Sequence, residues 1–187
     1  MSERKLIAEL EKHLRKLSER LGKLSEPLHA YLAGGIAVNY YTGHRMSRDV
    51  DIKWSHRVPL PPDMRLIEVQ DPEIPEEFRV IAMDCGFTDV LGSFPPEWER
   101  NSRVVGRIAD IVLHIIDPVD LAVSKVARFQ DRDREDIRQL AKIGLVDFQR
   151  FAERMDEALD YYVGDITFIK YNVEDAKIIV REAIDGT

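Results

Sequence analysis

Two carboxylates, Asp49 and Asp51, stand two residues apart with Val50 and Ile52 alternating between them. On a strand, side chains at that spacing project to one face. Upstream of Asp49, with thirteen residues in between, lies the pair Gly34-Gly35. Paired carboxylates are hard oxygen ligands suited to Mg2+, which is often held by one or two acids plus substrate phosphates. Glycines let a ligand approach the main chain, and a helix that follows them offers its free N–H groups to an anion. A Gly-Gly alone marks a turn, and an Asp-Val-Asp alone marks a surface strand end. Together they describe a site for a metal ion and phosphate.

Positioning these groups takes a specific order of elements. The stretch from His29 to Trp54 reads as a strand, a Gly-Gly turn, a short helix over 36–41, a loop and a second strand that carries both acids. Val50 and Ile52 face the core. Upstream, Leu6, Leu10, Leu14, Leu17, Leu21 and Leu24 recur at helical spacing and predict an amphipathic helix over 3–24, with His13 on its surface. Downstream, Ser55 to Asp63 is a proline-rich loop, in which His56 and Arg57 read first as exposed loop residues and second as groups that could approach a nucleotide. Residues 64–69 form a short strand or helix start, 79–83 form a strand ending at Asp84, and Trp98 packs in a loop or short helix. Residues 103–116 read as one strand-like run, with His114 a satisfied core histidine.

A second chemical stretch spans 117–140. Asp117-Pro118-Val119-Asp120 is a helix start, with a cap, a proline at the first position and an acid near the positive end of the helix dipole. It leads into Lys125-x-x-Arg128-x-x-x-Arg132-Asp133-x-x-Asp136. Lys125 and Arg128 share a helix face, Asp133 and Asp136 another. On residue types alone this is a charged helical hairpin laced by surface ion pairs. Gly144 then caps a helix end, Asp147 caps another helix with an apolar stripe from Phe148 to Tyr162, and 173–184 form a last amphipathic helix. The expected organisation is a core over 1–116, including the N-terminal helix, and a helical region over 117–187 packed on it. The fold class is α/β (α+β), a small mixed sheet flanked by helices.

The chain has 187 residues, 44% hydrophobic and 33% charged, with a net charge of −7. That composition belongs to an ordinary globular protein with a sizeable core. The acidic total argues against broad coating of nucleic acid, although Lys125, Arg128, Arg132, Arg134 and Arg138 cluster locally. A single cysteine, Cys85, excludes a disulfide framework and a cysteine-rich zinc site. No run approaches a membrane span, and the charged, helical N-terminus is no signal peptide. A cytoplasmic location with no membrane partner is the expectation.

Two small residues, a spacer of this length and Asp-x-Asp between apolar residues resemble the nucleotidyltransferase superfamily of the DNA polymerase β type. Ser47 matches the Ser or Thr that often precedes the acids there. Gly35 stands where that superfamily often has Ser, so the backbone must hold the phosphate. The pattern from Lys125 to Asp136 is similar to the C-terminal motif of AbiEii-type toxin nucleotidyltransferases and their bacterial relatives. The resemblance covers 28–145. It implies a nucleotidyltransferase core, Mg2+ as cofactor held by Asp49 and Asp51, and a nucleoside triphosphate as substrate. It further implies a third acid on a neighbouring strand, with Asp84 favoured over Asp89 and Asp110, and Glu68 or a vacant position if none serves. Lys125 and Arg128 would face the triphosphate, Gly34, Gly35, Ser47 and Arg132 would line the phosphate site, and Asp133 and Asp136 would orient the basic residues or act in the cleft. The acceptor would be tRNA, a protein or a small molecule, with a cognate antitoxin as partner in a toxin–antitoxin or phage-defence setting. The rival expectation is a non-catalytic protein that keeps the fold and binds a partner.

Overall fold

The leucine repeat folds as helix α1, Glu3–Leu21, with Leu10, Leu14 and Leu17 fully buried. It stops a turn earlier than the periodicity suggests, because Gly22 adopts a left-handed conformation and its N–H closes on Ser18 O at 3.0 Å. The computed structural model describes residues 3–43, 49–56, 60–70, 78–84 and 94–186, and leaves out the side chains of 3–6, 49, 69, 70, 78, 79 and 84. Ser47, Arg57, Cys85 and Asp89 lie outside the described residues.

The chain divides into two compact units, Met1–Phe87 with Ser102–Ile115, and Thr88–Asn101 with Ile116–Thr187. Among the described residues the first unit is built on six strands: β1 Leu28–Leu32, β2 Asp49–Trp54, β3 Leu66–Gln70, β4 Phe78–Asp84, β5 Arg103–Ile108 and β6 Ile111–Ile115. Their order across the sheet is β3-β4-β2-β1-β6-β5. β1 runs antiparallel to β2 and parallel to β6, β2 runs parallel to β4, and β3 and β5 close the two sides as antiparallel partners of β4 and β6. The result is a mixed sheet with helices around it, the expected class.

Alternation sorts the sheet into two faces. Leu28, Ala30, Leu32, Val50, Ile52 and Leu113 are fully or almost fully buried. α1 contacts β3 and β5, and helix α2, Gly34–Thr42, contacts β2 and α1. The register pairs Tyr31 with both Lys53 and His114, so these residues, with His29 and Asp51 two positions away on their strands, share the opposite face. Residues 103–116 are a hairpin rather than one strand. Ala109, at φ +50°, and Asp110 turn the chain, and Asp110 Oδ2 accepts from Leu24 N at 3.1 Å. No Gly or Asn marks that turn, which is why the apolar run reads as continuous.

The second unit is helical: α3 Trp98–Asn101, α4 Pro118–Ser124, α5 Asp131–Lys142, α6 Phe148–Asp160 and α7 Ile166–Asp185. α4 contacts α5 and α6, and α7 contacts α5 and α6. Asp117, Asp147 and Asp165 cap α4, α6 and α7 by accepting from Val119, Arg150 and Thr167 N–H groups. α7 starts well before residue 173, since the Asp165 cap already nucleates it. Phe151 and Met155 from the α6 stripe are core residues.

Candidate active site

The β1–α2–β2 corner is where the predicted chemistry comes together. Ala33 N donates to Asp51 O at 3.0 Å, which brings the end of β1 against the acid-bearing strand. The chain then enters α2 directly. Gly34 and Gly35 are the first residues of that helix rather than a separate turn, and only Gly34 has the left-handed φ of +57°. A Cβ added to Gly34 would fall onto Asp51 Oδ2 and lie 2.6 Å from its Cγ. The Asp51 carboxylate therefore occupies the space a side chain at residue 34 would take. Ala33, the N-cap of α2, has no side chain able to bond the free N–H groups of the first turn.

Asp49 and Asp84 belong to the same corner by backbone register. Parallel pairing of β2 with β4 sets Asp49 against Ala82 and Asp51 against Asp84. Asp110 lies at the other end of β1, where its O accepts from Leu28 N at 2.9 Å. The four residue-to-residue steps of strand from Leu28 to Leu32, at about 3.3 Å each, keep it well away from Gly34. Glu68 pairs with Val80 on the outermost strand β3. Register thus separates the candidates for a third acid: Asp84 adjoins Asp51, and Asp110 and Glu68 do not. Among the described residues no group of three or more His, Cys, Asp or Glu side chains is poised for a metal.

The same sheet face carries a histidine pair. His29 Nδ1 and His114 Nε2 are 2.7 Å apart, and the Tyr31 ring stacks on His114 with centroids 4.6 Å apart. One hydrogen bridges the two nitrogens. His114 Nδ1 is buried and has no partner among the described residues, so His114 is only half satisfied. Burial, then His29, then Arg107 hold its pKa below the ordinary histidine value.

In the second unit the Lys125–Asp136 stretch forms an internal clamp. Lys125 and Arg128 do not ride on a helix. α4 ends at Ser124, and residues 125–128 form the turn before α5. Lys125 is 6% exposed, with Nζ 3.2 Å from Asp136 Oδ2 and 3.8 Å from Asp133 Oδ1. Arg128 grips Asp133 with two parallel bonds, Nε to Oδ2 at 2.8 Å and an Nη to Oδ1 at 2.7 Å. Asp133 also accepts from Gln130 N, completing a capping box at the start of α5. Burial pushes the Asp133 carboxyl up, but the Arg128 bonds, the Lys125 charge and the Gln130 N–H outweigh it and hold its pKa below the usual carboxylate value. Asp133 and Asp136 are fully buried, and both adjoin the Lys125 ammonium group. Arg132 is exposed.

The sequence reading missed two residues of this unit. Phe129 is held at φ +48°, a costly conformation for an aromatic residue, with the Arg134 guanidinium 4.5 Å above its ring. Arg154 meets the fully buried Asp120 through Nε at 2.7 Å and also reaches Pro96 O at 3.0 Å, while Asn101 donates to the other Asp120 oxygen. Asp120 was legible as a helix-dipole acid, but its partner lies 34 residues away, and helical periodicity gives no sign of that.

Among the described residues no helix is long and apolar enough to cross a membrane. No curated protein matches the chain. The family described as nucleotidyltransferase of unknown function (DUF6036) matches residues 8–177, and the chain belongs to that family.

Proposed function

We propose that the chain moves a nucleoside monophosphate from a nucleoside triphosphate to an acceptor hydroxyl, with Mg2+ held by Asp49, Asp51 and Asp84. The observation that carries this reading is the Asp51 carboxylate lodged against Gly34 at the start of α2. The donor set suits the ion, because carboxylate oxygens are the ligands Mg2+ prefers. When bound there, Mg2+ supplies charge neutralisation for the triphosphate and for the oxygens entering and leaving phosphorus. The chain's own contribution is positional. The N–H groups of Gly34 and Gly35 offer a phosphate its hydrogen bonds, and Ser47 adds a hydroxyl. The acceptor oxygen attacks the α-phosphorus in line. The bond from that phosphorus to the α–β bridging oxygen breaks, pyrophosphate leaves with the electron pair, and water takes the hydroxyl proton.

A toxin-like role in a toxin–antitoxin or phage-defence setting, with tRNA, a protein or a small molecule as acceptor, is supported by the Lys125–Asp136 pattern. One observation favours a second reading, a partner-binding protein without turnover. Lys125, the residue that pattern assigns to the triphosphate, has its ammonium group committed to Asp133 and Asp136.

The test is to incubate the protein with each α-labelled triphosphate, Mg2+ and cell extract. Wild type should transfer label to one class of acceptor, and Asp51→Asn should transfer none while melting as a folded protein. Label transfer by a well-folded Asp49→Ala/Asp51→Ala protein would end the proposal. Metal-dependent stabilisation by a triphosphate without transfer to any acceptor would favour the second reading.

A further inference from the structure

The last helix presents a surface that nucleotidyl transfer does not use. Eleven large hydrophobic side chains are exposed among the described residues, and seven of them lie between Tyr161 and Ile184. Phe168 is 76% exposed, Tyr171 72% and Ile178 54%. Tyr171, Asp175, Ile178 and Glu182 follow one another at spacings of four, three and four, so they form one outward stripe of α7, with Glu174 at its edge. Its inward face is complete without them, with Ile169, Val173, Ala176 and Val180 buried against the unit's interior. Large aromatic side chains clustered on a rim of charge mark an interaction site rather than ordinary surface.

Charge narrows the occupant. Among the described residues the free charges on that stripe, Asp175 and Glu182, are acidic, while Glu174 at its edge is paired with Lys177, Nζ to Oε1 at 3.3 Å, and Arg181 lies exposed on the same edge. The first unit holds 15 basic and 15 acidic residues, which leaves 12 and 19 of the chain's 27 and 34 for the second, so the whole net charge of −7 falls on the unit that carries α7. A second copy of the chain is a poor fit: an antiparallel pairing that set Tyr171 against Ile178 would set Glu174 against Asp175, and like charges facing each other oppose association.

We propose that the outer face of α7 docks a basic amphipathic helix of a partner protein. The partner's apolar residues cover Phe168, Tyr171 and Ile178, and its Lys or Arg side chains meet Asp175 and Glu182. This is the helix-on-helix form of recognition, with anchors at i, i+3 or i+4 and i+7, and it is independent of nucleotidyl transfer.

The probe is a fluorescein-labelled Leu/Lys peptide patterned as an amphipathic helix, titrated with the full chain by anisotropy. Its controls are a Leu/Glu peptide of the same pattern and a Leu/Lys peptide of the same composition without the pattern. The patterned basic peptide should bind, and both controls should bind at least about tenfold more weakly. Tyr171→Ser with Phe168→Ser should weaken binding by about tenfold or more, as should Asp175→Asn with Glu182→Gln. These side chains are exposed, so circular dichroism should show every variant folded. Equal binding of patterned and unpatterned basic peptides would overturn the proposal. So would binding that the α7 variants leave unchanged, or light scattering showing a dimer that Tyr171→Ser dissolves.

Discussion

At the scale of single residues, Gly34 and Asp51 are one feature seen from two strands. Asp51 is stable in its place because nothing projects from residue 34, and Gly34 tolerates its φ of +57° because it lacks a Cβ. Gly34→Ala should therefore do two kinds of damage. A left-handed non-glycine residue costs about 1–2 kcal/mol, and forcing a methyl group into filled space costs about 1–3 kcal/mol more. Melting should show that loss. Gly22→Ala, at a left-handed position with open space where the Cβ would stand, should lose only the backbone part. Comparable loss in both variants would mean that Asp51 does not depend on Gly34. The residue types of this corner were legible because glycine and paired aspartates are rare together for ordinary reasons. Which glycine matters was not legible, since a backbone angle leaves no mark on composition. His114 makes the same point: an apolar run suggests a core histidine, but only the sheet register supplies His29 as its neighbour. With its folded pKa below the ordinary 6.5, the native state binds fewer protons than the unfolded chain between the two values. Stability is then full above about pH 6.5 and declines as pH falls toward the folded pKa, levelling below it. Melting temperatures across that window should show the decline in wild type and a smaller one in His114→Phe. An unchanged slope would remove His114 as the cause.

At the scale of elements, the informative unit is the turn joining α4 to α5. Its charges were expected on helix faces, where spacing of three and four makes neighbours. They sit instead in a turn whose geometry is fixed by Phe129 at positive φ, by the Gln130–Asp133 capping box and by Lys125 buried between two acids. Sequence periodicity set Lys125 and Arg128 on one helix face and Asp133 and Asp136 on another, and it gave no sign of the break between the helices, since neither Gly nor Pro stands there. The clamp carries a clear energetic expectation. Lys125→Met keeps most of the side chain's volume but takes the Lys125 charge away from the buried Asp136, and breaking a buried pair from one side costs about 3–5 kcal/mol. Lys125→Met/Asp136→Leu removes both charges and should recover much of that loss. A double mutant no more stable than the single one would show that the two residues are not coupled. The β5–β6 hairpin shows a similar limit. Two apolar strands joined at Ala109 and Asp110 look like one strand until Leu24 is seen donating to the turn aspartate.

At the scale of the whole molecule, chemistry and charge divide between the two units. Gly34, Asp49, Asp51 and Asp84 all fall in the first, which is electrically neutral, and the acidic excess falls in the second. A single chain-wide net charge of −7 hides this, because the sequence does not announce that residues 102–115 return to the sheet after 94–101 have joined the helices. The division predicts where a nucleotide will be felt. Hydrogen exchange of amides reports local opening along the chain. A non-hydrolysable triphosphate with Mg2+ should slow exchange at the start of α2 and along β2 and the end of β4, because those amides border the Asp51–Gly34 corner. Asp51→Asn should abolish that protection at the same nucleotide concentration. Omitting the metal should have the same effect, since phosphate and carboxylate repel each other without it. The outer turns of α7 should exchange at the same rate with and without nucleotide. Protection confined to the helical unit, or protection at α2 that persists in Asp51→Asn without Mg2+, would place the triphosphate somewhere other than the corner formed by β1, α2 and β2.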